Sequence, residues 1–171
     1  MSYNDYLTAV ELIEKNKQLL HAIYPQKEQV IQDVENLLKM KFPKSYRDFL
    51  KRYGMLLIGA KSVFGLDNIE IYDKYRDENM VCNTLDERKF NYDVPFPLSF
   101  VSVYNLGDGE KFCLDTAKMN EEGECPIVGW YFGRIESLKD DVGEDFGDFL
   151  LNFVVLPALK SAEEEGKKVV R

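Results

Sequence analysis

Apolar residues recur at helical spacing through the first third of the chain and predict three helices. We expect the first over residues 3–22, the second over residues 27–40 after Pro25, and the third from Pro43 to Gly54. Proline suits the first turn of a helix, and glycine suits the position after its last turn. Each helix has one apolar stripe, formed by Tyr6, Val10, Ile13 and Leu20 in the first, Val30, Ile31, Val34, Leu37 and Leu38 in the second, and Tyr46, Phe49, Leu50 and Tyr53 in the third.

The middle of the chain changes to short segments bounded by glycine, which is typical of strands and turns. Residues 55–66 predict short strands with turns at Gly59 and Gly65. Residues 67–94 are charged and irregular, and they allow a short helix over residues 72–80. This part of the chain therefore predicts little regular structure.

A meander of three strands is expected next. The predicted strands cover residues 98–104, 111–115 and 125–132, with a glycine turn at residues 105–109 and Gly133 closing the last strand. Glycine suits such turns because it adopts positive φ without strain. Alternation in the first of these strands is imperfect, because two adjacent residues are both apolar and cannot face one core.

The C-terminal region predicts one more helix, from about Gly143 to Leu156, which Pro157 should end or kink. The charged tail, residues 161–171, is expected to fray. Helices, then an antiparallel meander, then a helix indicate an α+β fold rather than a doubly wound parallel sheet. The length fits one domain that spans residues 1–171.

The net charge of the chain limits the classes of molecule that it can bind. The chain of 171 residues has a formal net charge of −8 and a sequence pI of about 4.8. Such an acidic surface repels phosphate and anionic lipid, so we expect neither nucleic acid nor a membrane as partner. It can attract a basic protein, although acidity also serves solubility alone. Residues 121–148 hold nine acidic and two basic side chains, so this segment accounts for most of the excess negative charge of the chain.

Targeting and redox signals point to the cytoplasm. The start of the sequence lacks a basic stretch followed by an apolar run, and no apolar run approaches the roughly 18 residues of a membrane span. The cysteines are Cys82, Cys113 and Cys125. Their odd number and spacing favour neither a disulfide framework nor a zinc site. We expect Cys113 and Cys125 to be small buried core residues.

Candidate catalytic chemistry is sparse. His21 is the one histidine, and its neighbours along the chain are apolar or aliphatic, so a nucleophile–histidine pair is not indicated. Residues 140–145 superficially resemble a calcium loop, but the glycine and glutamate that an EF-hand needs at its sixth and twelfth positions are missing. Acids at the start of a helix also interact favourably with its dipole. We therefore expect no catalytic residue, no metal site and no cofactor.

A charged stripe lies opposite the apolar stripe of the third predicted helix. It consists of Lys44, Arg47, Asp48, Lys51 and Arg52. One interpretation is a site for an anionic ligand, and the other is a solvated helix face. The sequence favours the solvated face, because such charge runs usually serve solubility.

Three motifs stand in order along the chain. The first is F-P-x-x-Y-x-x-F-L-x-x-Y-G at residues 42–54, the second is the glycine turn and strand at residues 107–115, and the third is G-E-C-P-I-V-x-W at residues 123–130. An F-x-x-F-L helix follows at residues 146–150. Together they resemble the SUKH superfamily, which contains the yeast Smi/Knr-type regulators of glucan synthesis and many bacterial toxin-immunity proteins. The resemblance covers roughly residues 25–155.

The resemblance implies a Smi/Knr-like fold with a central antiparallel sheet and flanking helices. It implies a protein-binding domain rather than an enzyme. In bacterial members it implies an immunity protein, which binds the toxin domain of a polymorphic or contact-dependent toxin, often a nuclease. It also implies a scaffold role for the motif residues, namely Pro43, Tyr46, Phe49, Gly107, Leu114, Pro126 and Trp130.

A basic nuclease surface would be complemented by the acidic segment of this chain. The candidate contacts are Tyr131 as an aromatic anchor and the acids Glu136, Asp140, Asp141, Glu144 and Asp145. These acids also fit a solvated helix entrance. Two other functions remain open: a regulatory scaffold like the fungal cell-wall regulators, with residues 67–94 as its docking segment, and a hydrolase that uses acidic residues.

Overall fold

The computed structural model describes residues 2–67, 78–136 and 142–171. The helices are α1 (Ser2–Lys15), α2 (Glu28–Leu38), α3 (Lys44–Arg52), α4 (Met80–Lys89), α5 (Phe146–Asp148) and α6 (Leu156–Glu164), with a π-helical segment, Phe149–Val155, joining the last two. The strands are β1 (Leu56–Ile58), β2 (Lys61–Val63), β3 (Phe100–Asn105), β4 (Glu110–Asp115), β5 (Ile127–Tyr131) and β6 (Arg134–Glu136). The architecture is α+β, as the sequence predicts.

Two antiparallel sheets form the β part of the fold. Strands β3 to β6 pair in chain order as a meander, and β1 pairs with β2 as a hairpin. The backbone N–H of Phe64, just after β2, donates to the carbonyl of Val103 at 2.8 Å. The small hairpin is thereby tied to the edge strand of the meander.

Helices cover one face of the meander and form the larger core. Phe146 lies at its centre, because its ring centroid is 6.4 Å from that of Tyr6, 4.9 Å from that of Tyr46 and 5.2 Å from that of Phe49. These rings come from α1, α3 and α5, so the apolar stripes of three helices meet at one place.

The opposite face of the meander carries a second, smaller core of Phe96, Phe100, Cys113 and Trp130. Phe100 therefore faces this core, whereas its neighbour Val101 faces the larger one. A β-bulge between Ser102 and Tyr104 shifts the register with β4. The imperfect alternation in this strand thus has two physical causes, a sheet covered on both faces and a bulge.

Three elements differ from the sequence expectation. The first helix ends at Lys15 rather than near residue 22, because the chain then makes a short 3-10 turn and Leu20 bridges to Ile58. Helix α4 lies within the segment expected to be irregular. Strand β6 follows Gly133, where the sequence predicts the end of the last strand and no further strand. The possible helix over residues 72–80 falls mostly outside the described residues.

Pro157 does not end the last helix, and the expectation of an end near Leu156 is wrong. The π-helical segment precedes it, and Pro157 stands in the first turn of α6. A residue at that position needs no N–H for an intrahelical hydrogen bond. The helix therefore changes type before the proline and continues to Glu164.

The C-terminal tail does not fray as expected. Asn16 is fully buried and exchanges two hydrogen bonds with Val170: its amide nitrogen donates to the carbonyl at 2.7 Å, and its amide oxygen accepts from the N–H at 2.8 Å. These bonds hold the tail against the C-terminal end of α1.

Candidate protein-binding surface

The hairpin between β5 and β6 turns at Phe132 and Gly133, which have positive φ angles of 41° and 86°. Glycine adopts this conformation freely, but in an L-residue with a bulky side chain it costs about 1–2 kcal/mol. The Phe132 side chain is 58% exposed. Its ring lies against the β3–β4 turn, where a β carbon on Gly109 would be 2.5 Å from it. A strained turn thus presents an aromatic ring to solvent.

Other exposed apolar side chains lie beside this turn. A β carbon on Gly133 would be 3.0 Å from the β carbon of Tyr92, which places the loop after α4 next to the hairpin. Ile135 pairs with Trp130 across the two strands and shares its face. We call Phe90, Val94, Phe132 and Ile135 the hairpin patch; they are between 53% and 62% exposed. Exposed apolar side chains grouped around one turn mark a candidate interaction site.

The smaller core supports the hairpin patch from beneath. The buried Trp130 ring has its centroid 5.2 Å from that of Phe96 and 5.9 Å from that of Tyr92. The Tyr92 hydroxyl donates to Glu87 at 2.9 Å, and the Lys111 ammonium pairs with the same carboxylate. Burial raises the pKa of Tyr92 and lowers the pKa of Lys111. Packed rings and a buried ion pair therefore fix the backbone under the patch.

Of the predicted contact residues, Tyr131 and Glu136 belong to the hairpin. Tyr131 is half-buried, and the Arg134 guanidinium lies 5.6 Å from its ring centroid. Glu136 is the last residue of β6, and its side chain is not among the described ones. Asp140 and Asp141 lie outside the described residues altogether.

Glu144 and Asp145 lie at the other end of β5. The carbonyl of Glu144 accepts from the N–H of Ile127 at 3.0 Å, and four strand residues, about 13 Å, separate that position from Tyr131. The Asp145 carboxylate accepts from the N–H of Gly147 at 3.0 Å and so caps α5. Glu144 is exposed. The two groups of candidate contacts are therefore separate on the surface.

Most of the motif residues are buried. Pro43, Tyr46, Phe49, Leu114 and Trp130 are buried, Pro126 is half-buried, and Gly107 is exposed in the β3–β4 turn. The Tyr46 hydroxyl donates to the carbonyl of Phe64 at 2.8 Å, and burial raises its pKa. Gly107 has a φ of 88°, which favours glycine there.

The described residues offer little reactive chemistry. Burial raises the pKa of the Cys113 thiol far above its ordinary value and that of Cys125 to about 12, so both thiols stay protonated at neutral pH. Within residues 2–67, 78–136 and 142–171, no three His, Cys, Asp or Glu side chains are grouped so that they could hold a metal ion. His21 lines a pocket of about 510 Å³ with Gln18 and Glu165.

Sequence reasoning missed Phe132 and Ile135. The available signal was the alternation of polar, apolar and polar residues at Arg134, Ile135 and Glu136, which suits a half-buried strand. Phe132 and Gly133 then occupy the two positions of a tight hairpin turn. Such turns usually carry Asn-Gly or Asp-Gly, so the aromatic residue concealed the turn.

Comparison with known protein families gives the classification. A family model described as SMI1-KNR4 cell-wall, of the SUKH superfamily, matches residues 8–156. The chain belongs to this family. The match runs from within α1 to the start of α6 and includes the hairpin patch. SUKH membership is consistent both with toxin immunity and with a role like that of the Smi/Knr regulators. Among the helices of the described residues, none has the length and apolar character needed to cross a bilayer.

Proposed function

We propose that this chain is an immunity protein. In this proposal it is a non-catalytic, cytoplasmic protein that binds the toxin domain of a polymorphic or contact-dependent toxin in a one-to-one complex. Membership in the SUKH superfamily supports a role in protein binding. The observation that carries the proposal is Phe132, an exposed ring on a residue with a φ of 41°. Backbone strain of this kind is concentrated at functional sites.

The proposed interface combines the hairpin patch with acidic side chains. Aromatic residues dominate the binding energy of protein interfaces, and surrounding charges set the rate and the choice of partner. The patch would supply the anchors, together with Tyr131. The acids Glu136, Asp140, Asp141, Glu144 and Asp145 would attract a basic face of the partner, such as the phosphate-binding surface of a nuclease, with Glu144 and Asp145 acting from the other end of β5. The net charge of −8 favours such an encounter.

The test is retention of a partner by the tagged protein from native cytoplasm, with stoichiometry by mass spectrometry. Phe132→Asn is the informative variant, because asparagine tolerates positive φ and keeps the turn while the ring is removed. We expect a single equimolar partner with the native chain and at least about tenfold weaker binding with the variant. Leu7→Ala is the matched control, because Leu7 is 44% exposed and lies on α1, away from the hairpin.

Charge reversal separates the acids from the patch. Asp140→Lys, Asp141→Lys and Glu144→Lys should slow association and reduce its dependence on salt if these acids face a basic partner. A partner bound equally well by these variants, yet lost with Phe132→Asn, would place the interface on the hairpin patch alone. Retention of the partner by Phe132→Asn would contradict our choice of surface.

A regulatory scaffold is the second candidate, because the matching family is described by its cell-wall members. A scaffold would retain several partners below equimolar amounts, whereas an immunity protein retains one toxin domain. Residues 67–94 would then be the docking segment; of these, the structure describes Asp67 and the stretch from residue 78, which includes α4. Rescue of growth when a toxin gene is expressed would decide for immunity.

A further inference from the structure

A pocket of about 490 Å³ lies between α3 and the connection from β4 to β5. Tyr3, Phe42, Met119 and Gly123 form its apolar part, and Lys41, Lys44, Arg47, Asp48 and Lys51 form its charged part. Four of these five charged side chains are basic, although the chain as a whole carries a net charge of −8. The lining of the pocket is therefore mainly basic and adjoins apolar surface, whereas the chain as a whole is acidic.

Arg47 is held in this pocket by a buried carboxylate. Glu35 is 1% exposed, and it accepts hydrogen bonds from the backbone N–H of Phe42 at 2.9 Å and from Nε of Arg47 at 3.1 Å. Lys41 approaches the same carboxylate at 3.4 Å. Glu35 thus fixes both the entry to α3 and the direction of the guanidinium, so the cationic group is positioned before any ligand arrives.

The Glu28 carboxylate pairs with two basic side chains of this pocket, Arg47 and Lys51. One of its oxygens accepts from Arg47 at 2.5 Å, and the other lies 2.5 Å from the Lys51 ammonium. The hydrogen bond from Lys51 is the main cause of the lowered pKa of Glu28. The Glu28 side chain is 44% exposed, so it can rotate into solvent. Arg47 and Lys51 are therefore arranged to receive an oxyanion, and an internal carboxylate holds that position.

The apolar part of the pocket adds a second recognition element. The Lys44 ammonium lies 3.8 Å from the centroid of the Tyr3 ring, a cation–π contact that keeps the charge beside aromatic surface. Phe42 and Met119 line the same space. A ligand with both an anionic and an apolar part would match this lining better than a bare ion would.

We propose that this pocket binds a small ligand that carries an oxyanion, a carboxylate or a phosphate monoester, on an apolar body. The oxyanion would interact with Lys41, Lys44 and Lys51, and would displace Glu28 from Arg47. The apolar body would lie against Tyr3 and Met119. This site uses none of the residues of the hairpin patch. Its test is therefore independent of the proposed immunity function.

The test is an NMR titration of the full chain with phenyl phosphate and benzoate. Inorganic phosphate and phenol serve as matched probes, because each provides one of the two recognition elements. We expect saturating shifts of the amides of residues 41–51 and of the Met119 methyl group with phenyl phosphate or benzoate. Absence of saturation with both would overturn the proposal. Inorganic phosphate binding as tightly as phenyl phosphate would overturn it too, since the apolar lining would then contribute nothing.

Three variants make the assignment specific. Lys41→Gln combined with Lys44→Gln should weaken binding about tenfold, because charge-assisted contacts are lost. Lys89→Gln is the control, since the Lys89 side chain is 75% exposed and pairs with Asp86 of the same helix, α4. Glu28→Gln should bind several-fold more tightly, because it removes the competing carboxylate, and a gain cannot arise from misfolding. Unchanged affinity in the lysine variant, or no gain with Glu28→Gln, would refute this site.

Discussion

The Glu124 carboxylate caps helix α3 by accepting hydrogen bonds from the backbone N–H of Ser45 at 2.9 Å and from its hydroxyl at 2.5 Å. The helix begins after Pro43, which provides no side-chain cap. The neighbouring N–H of Lys44 donates to the carbonyl of Gly123 at 2.9 Å. Two motifs far apart in the sequence, residues 42–54 and 123–130, are therefore joined at one buried helix end.

Removing this cap should destabilise the fold. Glu124→Ala leaves the N–H and hydroxyl of Ser45 buried without an acceptor, and such losses cost about 1–3 kcal/mol. We expect a loss of about 2 kcal/mol in the free energy of unfolding, measured by urea denaturation. Glu122→Ala is the control, because Glu122 is exposed two residues earlier and should change stability by less than about 0.5 kcal/mol. Equal effects of the two variants would show that the cap contributes nothing.

The strained hairpin turn should respond to the choice of residue at position 132. Phe132→Asn and Phe132→Val both remove the ring and its contact with Gly109. The difference between their free energies of unfolding therefore reports the backbone strain at position 132. Asparagine tolerates positive φ, whereas β-branched valine does not. We expect the valine variant to be less stable than the asparagine variant by about 1 kcal/mol, measured as a shift of the urea midpoint at a common slope. Equal midpoints would mean that the turn relaxes to another conformation.

Periodicity predicted the parts of this fold that are governed by local pattern. The stripes of α2 and α3 have a strong helical period, and their bounds differ from the prediction by one or two residues. The glycine turn before β4 was also predicted, since Gly107 and Gly109 do take positive φ. These elements follow from spacing alone, because one face of each must be apolar.

Elements that depend on distant partners were not predictable in this way. The amphipathic pattern of α4 is weak, because the helix is anchored by polar contacts: the Thr84 hydroxyl accepts from the N–H of Ser102 on β3 at 3.1 Å. The hairpin patch was missed for a related reason: phenylalanine rarely adopts positive φ, so nothing in the local sequence indicates the turn at Phe132. The acids of the candidate interface were visible in composition, but only the pairing of β5 placed Glu144 far from Tyr131.

The docked tail gives a further prediction. Asn16→Ala removes both hydrogen bonds to Val170 and one to the carbonyl of Leu12, so the tail should detach. We expect a loss of about 1–3 kcal/mol in the free energy of unfolding and loss of hydrogen-exchange protection at the Val170 amide. Gln18→Ala is the control, since its bond to Lys168 is exposed. An unprotected Val170 amide in the native chain would contradict the docked arrangement.

The pH dependence of stability should report on Glu124. Desolvation is the main cause that raises the pKa of this carboxyl above 4.5, and the hydrogen bonds from Ser45 only partly oppose it. Between 4.5 and the raised value, the folded chain holds a proton that the unfolded chain has released, so the free energy of unfolding falls as pH rises through this window.

Glu124→Gln lacks this titration. We therefore expect the stability of the native chain relative to Glu124→Gln to decline as pH rises from about 4.5 through the raised pKa in urea unfolding series, and to be level below and above that window. A relative stability that rises with pH would mean that the bonds from Ser45 outweigh desolvation, and the carboxylate would then be a net stabilising cap in its charged form.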